Sequence, residues 1–145
     1  MSYKTILVAV DLGETSADVV RKASAMATTY GAQLHVLHAV EPLSITYGGD
    51  IPMDFSSIQD EIYQQADEQL DRFCAELGIT EAQRHLVVGR PENEIPETAK
   101  ALEADLIVVG SHARFGLAVL LGSTADGVLH GAACDVLAIR VKRPD

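Results

Sequence analysis

Asp11 stands at the end of a short apolar run, residues 5–10, and far along the chain Gly110-Ser111-His112-Ala113-Arg114-Phe115-Gly116 follows another such run. Gly122-Ser123-Thr124 comes shortly afterwards. Small residues let backbone N–H groups approach an anion, and a Gly-Ser-Thr run that opens a helix adds unpaired donors and the positive end of the helix dipole. Gripping a phosphate is the chemistry these residue types suit. Ser123 and Thr124 bring hydroxyl donors, and Arg114 is the local cation. Asp11 has two readings: a carboxylate that accepts a ribose hydroxyl or holds a phosphate-bound Mg²⁺, and a cap for the turn or helix after it.

Other site chemistries lack their residues. There is no G-x-x-x-x-G-K-[ST] loop, no G-x-G-x-x-G after the first apolar run and no G-x-S-x-G elbow. Ser111 and His112 are mere neighbours, without the oriented base and third group of a hydrolytic triad. His35 and His38 fall three apart in a strand-like run, so they project to opposite faces and cannot share one metal; both read as core or helix-facing histidines. Cys74 and Cys134 lack ligand or disulfide spacing and read as free, packed thiols. No general base is evident near the phosphate-binding segments. No catalytic residue is assigned.

Segments so far apart in the chain need a particular architecture to serve one site. Five β-rich apolar runs, residues 5–10, 34–40, 85–88, 106–109 and 136–139, alternate with helical patterns, which predicts an α/β fold with a doubly wound parallel sheet covered on both faces. The first helix is expected from Thr15, with Asp18 at capping-box spacing, to Tyr30-Gly31, burying Ala17, Val20, Ser24 and Ala27. A second begins near Ser56 or Ser57, lines up Ile58, Ile62, Ala66, Leu70, Phe73 and Leu77, and stops at Gly78. Asn93 is the expected cap of a third, placing Pro96 in its first turn and Ile95, Ala99 and Leu102 inward. A fourth runs from Ser123 or Thr124 to about Gly131, with Asp126 completing a capping-box spacing. In such a sheet, ligands bind beyond the carboxyl ends of the strands where strand order reverses. One long connection, residues 41–55, suits a lid, a partner surface or a linker.

Composition narrows the partners. The chain has 145 residues, 48% hydrophobic, with Lys+Arg 11 against Asp+Glu 21 and a formal charge of -10, as expected of one acidic domain over residues 1–145. Outnumbered cations argue against nucleic acid, and no apolar stretch is long enough for a membrane span. The amino-terminal residues do not read as a secretory signal, so a cytoplasmic location is expected. Arg140, Lys142 and Arg143 form a solvated basic tail beside the last strand.

The residues 6–11, Leu37-His38-Ala39-Val40, Val108-Val109-Gly110-Ser111-His112 and the closing 135–140 together resemble the universal stress proteins, a likeness that covers essentially the whole chain. The resemblance implies strand order 3-2-1-4-5 and, in the ATP-binding branch, a glycine motif G-x₂-G-x₉-G-[ST]. Here Ala113 occupies the second glycine position, and eight residues separate it from Gly122. If that position is left-handed, alanine adds strain of about 1–2 kcal/mol, about a tenfold loss in affinity. Carried over by position, ATP or AMP contacts fall on Ala9, Val10, Asp11 and Ala39 for adenine and ribose. The phosphates fall to Gly110, Ala113, Gly122, Ser123 and Thr124, with Val109 and Arg114 beside them and Asp11 as the route to Mg²⁺. The family also implies a homodimer through the last strand, with Val136, Leu137, Ala138, Ile139 and Val141 as its interface. A second branch lacks the motif and works as a non-nucleotide dimeric module; here its protein-partner surface would be residues 41–55 or the apolar stretch Phe115, Leu117, Val119, Leu120 and Leu121.

Overall fold

The computed structural model describes residues 3–42, 56–110 and 123–141. Five strands, β1 (Thr5–Ala9), β2 (Gln33–Val40), β3 (Arg84–Val88), β4 (Leu106–Gly110) and β5 (Asp135–Ile139), alternate with four helices, α1 (Ser16–Tyr30), α2 (Ser56–Glu76), α3 (Pro91–Leu102) and α4 (Ser123–Gly131). A short 3₁₀ turn, Glu81–Gln83, enters β3. All neighbouring strands are parallel, in the order β3-β2-β1-β4-β5, so the expected fold class and topology are present.

The strands are mostly apolar because helices cover both faces, with polar residues concentrated in β2 and β3. Ile6, Val8, Val36 and Val108 point to one side, where α1 contributes Val19, Val20, Ala23 and Ala27 and α2 contributes Leu70 and Cys74. Leu7, Leu37, Ile107 and Val109 point to the other, against Ile95 and Ala99 of α3 and Val128 of α4. Ile6, Leu7, Val8, Ile107 and Val108 are completely buried, and this central pair of strands carries both cores.

Three local expectations are corrected. The buried face of α1 is Ser16, Val19, Val20, Ala23 and Ala27, leaving Ala17 and Ser24 half-buried. The cause lies before the helix: Thr15 makes no side-chain cap, and Asp11 draws Ser16 inward instead. In α3, Arg90 is the cap and Pro91 the first residue, so Asn93 and Pro96 lie inside the helix. Pro91 has the fixed φ and missing donor that suit a first position, and Glu92 and Glu94 complement the dipole there, which outweighs the side-chain cap Asn93 offers. The amphipathic stripe of α2 holds from Ile62 to Leu77, but Ile58 is 47% exposed, at the end of the helix farther from its buried Leu70 and Cys74.

Helix packing on the second face depends on one absent side chain. A Cβ at Gly127 of α4 would lie 2.5 Å from the Glu92 Cβ of α3, so only glycine admits this approach. The connections out of α1, α2 and α3 share one construction. Gly31 (φ 65), Gly78 (φ 75) and Glu103 (φ 55) are left-handed, and the next N–H bonds back to Ala27, Cys74 and Ala99 respectively.

Candidate functional site at the carboxyl end of the sheet

The chain leaves β1 for α1 on one face and reaches α4 on the other after β4, so the crevice between β1 and β4 is where the winding direction reverses. Ile6, Leu7 and Val8 pair with Leu106, Ile107 and Val108, a register that carries Val10 and Asp11 alongside Gly110. Two predicted segments, distant in sequence, therefore share one end of the sheet.

Asp11 is held by the turn it begins. Its Oδ1 accepts from the Gly13 N–H at 2.8 Å and the Ser16 hydroxyl at 3.0 Å, while Leu12 takes φ 62. Ser16 is 3% exposed, so the clamp is shielded from water on its helix side. The capping reading of Asp11 is thus the one the geometry displays, and it fixes the carboxylate at the rim of the crevice. Beneath it, Val10 N–H donates to Leu37 O at 2.9 Å, and His38 Nδ1 donates to Val10 O at 2.9 Å. His38 is 9% exposed: the expected core histidine is a strut that locks the peptide leading into Asp11. Sequence reasoning missed this role, since only the β1–β2 register shows which carbonyl the ring meets.

The remaining predicted residues contribute differently. Ala9 and Ala39 are half-buried and small, walls rather than ligands. Val10 and Val109 bury their side chains, 8% and 3% exposed, in opposite cores, which leaves only their peptides for the crevice. Gly110 ends β4 opposite Ile139, and a Cβ there would sit 3.4 Å from Val19, so the strand end lies tight against α1. Ser123 and Thr124 form the first turn of α4. Ala113, Arg114, Gly122 and the 111–122 segment lie outside the described residues, as do 43–55 and the basic tail from Lys142.

Elsewhere, burial pushes the Cys74 and Cys134 thiols up, away from thiolate chemistry, in keeping with packed thiols. Among the described residues no group of three His, Cys, Asp or Glu side chains could hold a metal ion, and no helix is long and apolar enough to cross a membrane. A pair the sequence reading did not anticipate joins β2 and β3: His35 Nδ1 lies 2.9 Å from His85 Nε2, and burial lowers both pKa values, His85 also feeling the charge of His35.

β5 lies at the sheet edge beyond β4. Of its predicted interface residues, Ile139 and Val141 bury their side chains, 7% exposed each, in the core shared with α1. Val136 and Leu137 are half-buried and Ala138 is exposed. What the edge offers outward is therefore chiefly backbone.

Comparison with known proteins gives this architecture its relatives. "Universal stress protein A homolog 2" of Coxiella burnetii is 41% identical over 145 residues, covering 97% of each chain. The crystal structure of a putative universal stress protein from Pseudomonas aeruginosa UCBPP-PA14 superposes with TM-score 0.72 at 32% identity; the match takes in 96% of this chain and 48% of that longer one. A universal stress protein solved in complex with cAMP superposes with TM-score 0.61 at 27% identity, over 96% of this chain and 98% of that one. The model of the universal stress protein family matches residues 2–140, and the chain belongs to that family.

Proposed function

We propose that the chain binds an adenine nucleotide, ATP or AMP, in the crevice between β1 and β4, and that binding regulates what a homodimer presents to partners. The observation that carries this reading is the clamped Asp11 carboxylate beside the Gly110 strand end at the winding reversal. Ala9 and Ala39 leave room for a flat base, Asp11 accepts a ribose hydroxyl, and the first turn of α4 at Ser123 and Thr124 supplies donors to phosphate oxygens. Ala113, Arg114 and Gly122 complete the phosphate loop, with Mg²⁺ entering through the phosphates near Asp11. The family member bound to cAMP supports adenine nucleotides as the ligand class. Dimerisation uses the β5 edge, whose outward backbone groups can pair with a symmetry mate.

Titration calorimetry with ATP, with and without Mg²⁺, tests the proposal. We expect saturable heat that Gly122→Val abolishes; no heat at millimolar nucleotide overturns nucleotide binding. A monomeric mass at micromolar concentration overturns the dimer. Ala113 in the place of the motif's second glycine favours a second reading, a dimeric interaction module without nucleotide. A protein purified without adenine absorbance, inert to ATP yet dimeric, would establish that one.

A further inference from the structure

The imidazoles of His35 and His85 come from adjacent strands with no sequence signature linking them. Leu37 faces His85 in the β2–β3 register, so His35 sits two residues earlier on β2, on the same face and diagonal to it. His38, of opposite parity, is on the other face and bonded to Val10. Nδ1 of His35 and Nε2 of His85 are 2.9 Å apart, and the rings are tilted by 37° with centroids 5.0 Å apart. Each residue is half-buried.

We propose that His35 and His85 form a two-imidazole site for a late first-row divalent transition ion, best matched by square-planar Cu(II). The observed 2.9 Å is that of the imidazole–imidazole hydrogen bond the ion would replace, so it brings both nitrogens within reach of one ion; Cu(II) is the match because it binds nitrogen donors most tightly among the divalent first-row ions, with water filling the remaining positions. The ion sits to one side of the line between the nitrogens, so both rings turn about their last torsion to aim their lone pairs at it. Proton balance is simple. In the hydrogen-bonded pair one ring places its N–H between the two; on metal binding that ring moves its proton to its other nitrogen through solvent, and none is lost overall.

The backbone under the pair is already set. Gln83 Nε2 donates to Leu34 O at 2.9 Å, and the Gln83 side-chain Oε1 accepts from Thr80 N–H at 3.0 Å and the Thr80 hydroxyl at 2.8 Å. The start of β3 is thereby pinned to β2 beside His35. The adjacent Arg84 points away to α2, where Asp71 meets it at 3.1 Å, so its charge is turned from the site. The formal charge of -10 further favours a cation.

Electron paramagnetic resonance of the full chain titrated with Cu(II) tests this. We expect one equivalent bound at micromolar concentration with hyperfine structure from two nitrogens. His35→Asn and His85→Gln should each weaken binding by more than tenfold, and His130→Asn should leave it unchanged. Nuclear magnetic resonance of the unaltered protein provides the control should a variant not fold, with paramagnetic broadening expected around residues 35 and 85. Undiminished binding in both folded variants, or broadening centred elsewhere, overturns the site.

Discussion

At the amino end of the sheet, bonds between residues far apart in sequence tie neighbouring strand entries to one another, whereas at the carboxyl end side chains fix the loop that leaves β1. On the amino side, Asp105 accepts from the Lys4 and Thr5 N–H groups, at 2.9 Å from Lys4 and 3.1 Å from Thr5, and left-handed turns at Gly31 and Glu103 deliver the chain into β2 and toward β4. Gln33 N–H donates to Lys4 O and Asp105 N–H to Thr5 O, so entries to three neighbouring strands lock one another. On the carboxyl side, Asp11 and His38 instead fix the shape of the loop that leaves β1. One end holds the fold closed, and the other holds a crevice in shape. Stability and binding should therefore separate by pole.

Asp11→Ala should have the largest effect and cross that division. Losing the acceptor for the Gly13 N–H and the buried Ser16 hydroxyl should cost about 1–3 kcal/mol in urea denaturation, and ATP affinity should fall more than tenfold by calorimetry. An Asp11→Ala protein of unchanged stability would show that the clamp carries no structural weight. Asp105→Ala should be the mirror case: about 1 kcal/mol lost, since its bonds are exposed or only partly buried, with ATP affinity unaltered. An affinity change there would mean the poles are coupled through the sheet.

Glu103→Gly should stabilise by up to about 1 kcal/mol, because glycine removes the left-handed strain while adding back part of the gain as unfolded-chain entropy. A lower melting temperature would contradict this account of the turn. The smallest effect is a pH dependence measured in chelator. His35 and His85 have folded pKa values below the ordinary histidine value, so the unfolded chain binds more protons between them. That stability is present above about pH 6.5 and is lost as pH falls through the folded values. His35→Asn/His85→Gln should flatten the slope there; an unchanged slope assigns it to other groups.

Much of this fold was legible in residue order. Five apolar runs fell within a residue or so of the observed strands, because the strand positions that face the two cores are apolar. Gly31 and Gly78 marked helix ends because few other residues take a left-handed conformation without strain. Glu103 does so and left no such mark. Helix starts at Thr15, Ser56 and Ser123 were legible too, although Asp11 rather than the Thr15 side chain makes the bond across the turn; the start of α3 was not, because the fixed φ of Pro91 prevailed over the capping chemistry of Asn93. The same limit applied to the site. Asp11 and Gly110 were readable as candidates, while the His38 strut and the His35–His85 pair were not, since both depend on strand register.

By itself, the sequence determined the alternation of strand and helix, the acidic surface and the glycine-rich segments suited to phosphate, because each follows from side-chain polarity and backbone freedom within a few neighbouring residues. The tertiary structure alone decided which carbonyl His38 holds, how α1 turns its buried face and which imidazoles meet. Those outcomes rest on parallel pairing between segments far apart in the chain, and pairing is fixed only when both cores close around the sheet at once.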